Sequence, residues 1–216
     1  MNSKLEYLIR SAYRYFSSKT CTNCGSHDVV QIDRKYFFTR LFECQNCQLQ
    51  FRHPVDTKAF NEKFYQDDYV QDDGITTDMP SPEQLKQMVD SNFVNSPKNA
   101  GPVLALWKSI FSNLNLVKAI DYGCSWGYMS YQFLKQGVQV QSFEISKPRA
   151  AFGSQQLGLS IKSELNELVP GTDLFYSSHV IEHVPSIIEM IQEAKRLLKL
   201  DGYFVAECPN GSAAFR

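Results

Sequence analysis

Residues 119–127, AIDYGCSWG, carry the reading of this chain. An apolar run leads into Asp121, Gly123 and Gly127 bracket a turn, and YMSYQFLKQG follows with helical character. A strand that hands its end to a glycine turn and then to a helix forms the corner where α/β sheets bind ligands. Glycine there permits close backbone approach and conformations that a β-carbon forbids. Asp121 can receive a cationic group. A dinucleotide fingerprint requires G-x-G-x-x-G, whereas this turn has G-x-x-x-G behind an acid, with less provision for a pyrophosphate. NAD and FAD are therefore disfavoured. Glu144 ends the next predicted strand, 17 residues after Gly127. A carboxylate in that place can accept both hydroxyls of a ribose. D-x-G-x-x-x-G alone is equally a tight strand-to-helix turn; the pairing with Glu144 makes it a binding corner.

Outward from this corner, apolar runs alternate with amphipathic stretches: VKAIDYG, YMSYQFLKQG, VQVQSFE, KPRAAFGSQQLG, LSIKSE, DLFYSSH, SIIEMIQEAKRLLKLDG and YFVAECP. Strands alternating with helices imply parallel β-α-β units. The expected fold is α/β, a Rossmann-like doubly wound parallel sheet of at least five strands over residues 103–216. Residues 54–102, with prolines at 54, 80, 82, 97 and 102 and the helical run PEQLKQMVDSNFV, read as a helical connector or lid.

The front of the chain, residues 1–53, reads as a short helix and a small metal-pinned ribbon. Cys21-x2-Cys24 and Cys44-x2-Cys47 stand 19 residues apart, the spacing of two knuckles that offer four thiolates in a tetrahedron. Zinc is the expected metal, and a closed set of four thiolates leaves no position for water or substrate, so its role is structural. Turn residues alternate with the β-rich runs VVQI and YFFTRLFE. Ahead of them, Leu5, Leu8, Ile9 and Ala12 stand at helical spacing, as in a helix that packs on another element.

Composition excludes several classes. Hydrophobic residues make up 43% and charged residues 21% of the 216 residues, and no apolar run approaches the roughly 20 residues that span a bilayer. The N-terminus has no continuous apolar stretch of the secretory kind, so the cytoplasm is expected, and paired cysteines in a reducing compartment argue for metal. Residues 1–55 carry 8 Lys+Arg against 4 Asp+Glu, and the remainder 14 against 19. An acidic body suits nucleic acid poorly, because nonspecific affinity comes mainly from neutralised phosphates.

Through DYGCSWG, FEIS, DLFYSSHVIEHVPS and RLLKLDGYFVAECPN, roughly residues 103–210 resemble the class I S-adenosylmethionine (SAM)-dependent methyltransferases. VIEHVP followed by LLKLDG is similar to the subgroup that includes the ubiquinone O-methyltransferases. CTNCGS through FYQDDY resembles the zinc-ribbon extension of bacterial sugar and secondary-metabolite methyltransferases. The resemblance implies that Asp121, Gly123 and the backbone near Cys124 face the methionine part of SAM, with Gly127 in the same cofactor site, and that Glu144 holds the ribose. It implies further that Ile145 packs on adenine, that Glu164 and Leu165 border it, and that Ser178 lines the cofactor site. Asp201-Gly202 replaces the usual Gly-Gly, and the last two strands of the family's seven-stranded sheet have no counterpart here. The fifth strand would then lie near an unpaired edge, which implies either a longer natural chain or a homo-oligomer or partner that covers that edge.

His179, Glu182 and His183 fall just past the fourth predicted strand and are the candidate catalytic residues. A histidine could take a proton from a hydroxyl or ammonium acceptor; the cluster could equally bind a divalent ion, or cap the following helix. Tyr65 and Tyr69 could close over the cofactor, although aromatics four apart more often pack a helix. The expected activity is methyl transfer to a small-molecule acceptor, a sugar or secondary metabolite. The alternatives are an RNA or protein methyltransferase that docks through the ribbon, and a noncatalytic scaffold.

Overall fold

The two cysteine pairs organise the front of the chain with little help from an apolar core. A computed structural model describes residues 3–35, 37–67 and 78–209, and Tyr69 and the acidic residues 68, 72 and 73 lie outside the described residues. Strands β1 (Val29–Lys35), β2 (Thr39–Cys44) and β3 (Gln50–His53) form an antiparallel three-stranded sheet in that order. Val29 pairs with Cys44, and Phe42 with Phe51. The predicted run YFFTRLFE divides, because Phe37 and Phe38 form the hairpin turn and the strand begins at Thr39.

Each cysteine pair is closed by the same device. The Gly25 N–H donates to Cys21 O at 3.1 Å and the Gln48 N–H to Cys44 O at 2.8 Å. Gly25 and Gln48 both take positive φ, +71° and +60°. Gly25 supplies that conformation without a steric cost; Gln48 adopts it at some cost in backbone energy. Cys21, Phe42, Cys44 and Phe51 are the buried apolar group of this unit.

Helix α1 (Ser3–Arg14) forms where the spacing predicts one, but Leu8 and Ile9 are exposed. The contacts instead run through the polar positions that follow them. Arg10 pairs with Asp56 and lies 3.3 Å over the Phe60 ring, Ser11 is buried, and the Arg14 guanidinium donates to Val55 O at 2.7 Å. The charges of the ribbon are also used internally. Arg40, buried, donates to Tyr15 O at 2.8 Å and to His53 Nδ1 at 3.2 Å, and Arg52 pairs with Asp56. With Nδ1 accepting, His53 carries its proton on Nε2, which lies 3.3 Å from Ser17 O.

By contacts the chain divides into two units, Met1–Asn61 with Val184–Gln192, and Glu62–His183 with Glu193–Arg216. The elements that follow the ribbon are α2 (Lys58–Asp67), α3 (Pro82–Asp90), α4 (Gly101–Ile110), β4 (Lys118–Tyr122), α5 (Tyr128–Lys135), β5 (Gln139–Phe143), α6 (Lys147–Leu157), β6 (Ile161–Lys162), β7 (Thr172–Ser178), α7 (Ile187–Leu197) and β8 (Leu198–Glu207). Ser81 starts α3 with a capping box: its hydroxyl accepts from Gln84 N, and its own N–H donates to the Gln84 side chain. The predicted helix stops short at Asp90, because Asn92 and Phe93 take positive φ. That turn costs roughly 1–3 kcal/mol per residue, offset by sealing Phe93 completely against Leu85 and Trp126.

The five parallel strands lie in the order β6-β5-β4-β7-β8. Alternation along β4 and β7 loads both faces of this sheet. Ala119, Leu174 and Tyr176 join Trp107 of α4 and Phe133 of α5 on one face. On the other, Tyr122 stacks between Phe143 and Phe175, each 4.9 Å away, and Phe175 meets Phe204 at 5.5 Å. The stretch LKLDG, read as the end of the preceding amphipathic run, is instead the start of β8, with an irregular register between Thr172 and Leu174. Gly202 permits it: a β-carbon there would lie 3.1 Å from both Thr172 O and Lys199 O.

Burial and the positive charges of Arg40, Lys19 and Arg14 hold the His53 pKa below its ordinary value of about 6.5. The unfolded chain therefore binds the proton first as pH falls, and the ribbon loses stability from about pH 6.5 downward to the folded pKa. Thermal melts of the metal-loaded protein between pH 5 and 7 should show this loss, with a shallower slope for His53→Gln; an unaltered slope would contradict the assignment.

Candidate functional site

The strand order reverses between β4 and β7, and the carboxyl ends of β4, β5 and β7 meet at this switch point. The loop after β4 is held by the end of β5. The N–H groups of Gly123 and Cys124 both donate to Phe143 O, at 2.8 and 2.9 Å, and the Ser125 N–H donates to Glu144 Oε2 at 2.8 Å. Three consecutive donors on one neighbouring strand end require an unusual backbone, and Gly123, Ser125 and Gly127 take φ of +77°, +54° and +83°. A β-carbon on Gly123 would lie 2.3 Å from Val180 Cγ2, and one on Gly127 2.3 Å from Leu159 Cδ1. The two glycines thus satisfy both the turn and the packing of neighbouring loops. Cys124 is buried, and its thiol is pushed well above its ordinary range by burial.

Asp121 and Glu144 are both buried at this corner and hydrogen-bonded in different ways. Ser130 of α5 donates to Asp121 Oδ2 at 2.6 Å, and Ser142 of β5 donates to the Ser130 hydroxyl at 2.8 Å. Burial pushes the Asp121 pKa up to about 7, with Ser130 opposing and the Glu144 charge adding to the rise. Glu144 Oε1 accepts from the Ser146 N–H at 2.7 Å, while Oε2 accepts from Ser125. Burial raises the Glu144 pKa too; the two amides and the charge of Arg149 counter it. A carboxylate oxygen has two lone pairs, so each oxygen of Glu144 keeps one for a further donor.

Ile145, half-buried, presents its carbonyl to Gln66 of α2, and Gln66 also accepts from the Lys147 N–H, at 2.6 and 3.1 Å. One amide side chain thereby reads both ends of the turn after β5, a contact that sequence reasoning missed because no local signal marks it. Glu164 is exposed and stands 3.7 Å from Lys147, and Leu165 beside it is half-buried. Ser178 ends β7 opposite Glu207. Next to it, His179 takes φ +54° and its N–H donates to Glu207 O at 2.8 Å. Positive φ is uncommon at a non-glycine residue, although histidine adopts it more readily than most. Glu182 Oε1 lies 3.4 Å from His179 Nδ1 and 3.8 Å from His183 Nε2, so the three come together with both rings exposed. Tyr65 packs edge-on to Phe64 at 5.4 Å.

Among the described residues, Cys21, Cys24, Cys44 and Cys47 are the group of His, Cys, Asp and Glu side chains arranged to hold a metal, with all four sulfurs within 4.8 Å of one another. The sulfurs of Cys21 and Cys47 are 3.6 Å apart and those of Cys24 and Cys44 3.5 Å. Tetrahedral zinc with Zn–S near 2.3 Å needs about 3.8 Å. The donors therefore fit a structural zinc, and the Asn46 amide and the Ser26 backbone pull the Cys24 thiol down to about 6, toward the thiolate that a metal requires. His179, Glu182 and His183 do not form such a group.

Residues 120–206 match the family profile described as a methyltransferase domain. No curated protein matches the sequence. Solved structures similar to the chain include a proposed SAM-dependent methyltransferase from Listeria monocytogenes, 16% identical over 46% of this chain and 50% of that one, TM-score 0.40. Magnesium protoporphyrin IX methyltransferase from Synechocystis with bound SAM is 17% identical over 68% and 74%, TM-score 0.47. A SAM-dependent methyltransferase from Mesorhizobium loti is 20% identical over 50% and 52%, TM-score 0.41. The chain spans about half the length of the first and third of these.

Structural zinc supplies on the order of 10 kcal/mol of folding free energy. Cys44→Ser should therefore reduce zinc from about one ion per chain to near none and open residues 21–53 to protease; full zinc content with unchanged resistance would refute the four-thiolate site. From β4 to β8, residues 120–206 are the part of the chain that matches the methyltransferase-domain family.

Proposed function

We propose that the chain transfers a methyl group from SAM to a small-molecule acceptor of the sugar or secondary-metabolite class. The observation that carries the reading is the Glu144 carboxylate. It is fixed by two backbone N–H groups at the end of β5, keeps a lone pair on each oxygen for two ribose hydroxyls, and stands beside the Asp121 loop. Asp121 and the turn from Gly123 through Cys124 to Gly127 would receive the methionine part, Ile145, Glu164 and Leu165 the adenine, and Ser178 would close the site from β7. Zinc at the four cysteines would hold the ribbon together.

Bound SAM supplies a methyl carbon on a positively charged sulfur, which an acceptor displaces in line while the sulfur keeps the bonding electrons. What the protein must add is placement, because holding acceptor and carbon at near-attack distance supplies most of the rate. For a protic acceptor His179, oriented by Glu182, would take the proton as the new bond forms, with His183 beside it. The buried or paired state of Arg10, Arg40 and Arg52 supports a small acceptor, since these charges are spent inside the ribbon. Salt-dependent RNA binding would instead favour a macromolecular one. No helix among the described residues is long and apolar enough to cross a membrane, and all six cysteines are unbridged, which supports the cytoplasm. A second copy or a partner at the β8 edge, where Leu200 and Tyr203 are exposed, belongs to the same proposal.

Calorimetry should show SAM binding by the unaltered chain, and its absence would make the chain a scaffold. Because Asp121 titrates near 7 and the SAM ammonium favours its ionised form, binding below that pH should release a proton, and affinity should rise with pH and level off above about 7. Equal heats in buffers of different ionisation enthalpy would contradict this. His179→Ala should lower turnover by roughly 100-fold or more on a protic acceptor with SAM affinity retained; an undiminished rate would remove His179 from the proposed chemistry.

A further inference from the structure

Arg149, in the first turn of α6, is completely buried. A guanidinium that cannot shed its charge is expensive to bury, and it persists where hydrogen bonds and an opposite charge surround it. Arg149 Nη1 donates to the Ser125 hydroxyl at 3.0 Å. Ser125 is the residue of positive φ whose N–H donates to Glu144 Oε2. Its hydroxyl and its amide are thus engaged in opposite directions, one by the arginine and one by the carboxylate. Ser146, the residue that caps α6, supplies the second N–H to Glu144. The carboxylate is therefore gripped from two loops, and Arg149 holds the nearer loop in place.

We infer that Arg149 is a positioning residue for recognition of the ribose hydroxyls: through Ser125 it sets the orientation of the Glu144 carboxylate and keeps it a pure hydrogen-bond acceptor. The inference rests on the SAM reading above. Its physical basis is the difference between the two forms of a carboxyl group. Ionised, Glu144 offers acceptors to both hydroxyls; protonated, it presents a donor on one side and clashes with a hydroxyl that must also donate. Burial alone drives Glu144 toward the protonated form, and the Arg149 charge acts against that drive.

The test measures how strongly the site distinguishes the ribose from its deoxy forms. Binding of S-adenosylhomocysteine and of its 2′-deoxy and 3′-deoxy analogues is followed by calorimetry at pH 7. The unaltered chain should prefer the ribose compound by about 10- to 100-fold, the range of one hydrogen bond to a charged acceptor. Arg149→Met should reduce that preference about tenfold, raising pH should restore part of it, and adding Glu144→Gln should produce no further loss. Ser125→Ala removes the arginine's contact without altering a buried charge, and should lose part of the preference even where Arg149→Met folds poorly. If Arg149→Met and Ser125→Ala weaken all three ligands equally and leave the preference intact, Arg149 only supports the fold and the inference fails. If the unaltered chain binds none of the ligands, the SAM reading itself falls.

Discussion

The hydrogen bonds from the Ser125 and Ser146 amides to Glu144 are the constraint on which the site depends. A buried carboxylate is tolerated only with partners, since an uncompensated charge in the interior costs several kcal/mol. These partners come from the loop after β4 and the turn after β5, so the bonds that make Glu144 affordable also join the two strand ends. Phe143 adds a second tie by accepting from both Gly123 and Cys124. The loop can make all of these bonds only with positive φ at three places in five residues, and two of those places are glycines.

The ribbon solves a different problem. Its buried apolar group is small, with two phenylalanines and two of the cysteines themselves, and a core of that size does not hold three short strands by hydrophobic burial alone. Four cysteines converging on one point can take a metal, which would supply the missing cohesion. The remaining side chains reinforce it locally: Arg40 ties His53 to Tyr15, and Asp56 gathers Arg10 and Arg52. The charges of Arg10, Arg40 and Arg52 thereby act as struts of the ribbon, while Arg34 stays exposed. Burial, with the charges of Arg40, Lys19 and Arg14 adding to it, depresses the His53 pKa.

Much of this was legible in one dimension because it depends on local rules. The cysteine spacing implies the metal, since the knuckle is a turn of fixed length. The alternation of apolar runs implies the parallel sheet, and the acid and glycines of AIDYGCSWG mark its binding corner. Errors arose where local preference met a tertiary demand. PEQLKQMVDSNFV is good helix throughout, yet the chain leaves the helix early because Phe93 is needed against Trp126. Leu8 and Ile9 have helical spacing, yet Arg10 and Arg14 face inward, because Asp56 and Val55 offer them partners. LKLDG continues an amphipathic run, yet pairing with β7 draws it into β8.

By itself the sequence determined the spacing of the cysteine pairs, the parallel alternation of strands and helices, and the placing of Asp121 and Glu144 at strand ends, because spacing along a chain and periodicity in a helix or strand are local quantities. The tertiary structure alone decided how those acids are held. Ser130 and Ser142 on Asp121, Arg149 behind Ser125, and Gln66 across the turn after β5 come from positions up to 81 residues away. No pattern in the chain records such pairings, since they exist only once burial forces each polar group to find a partner.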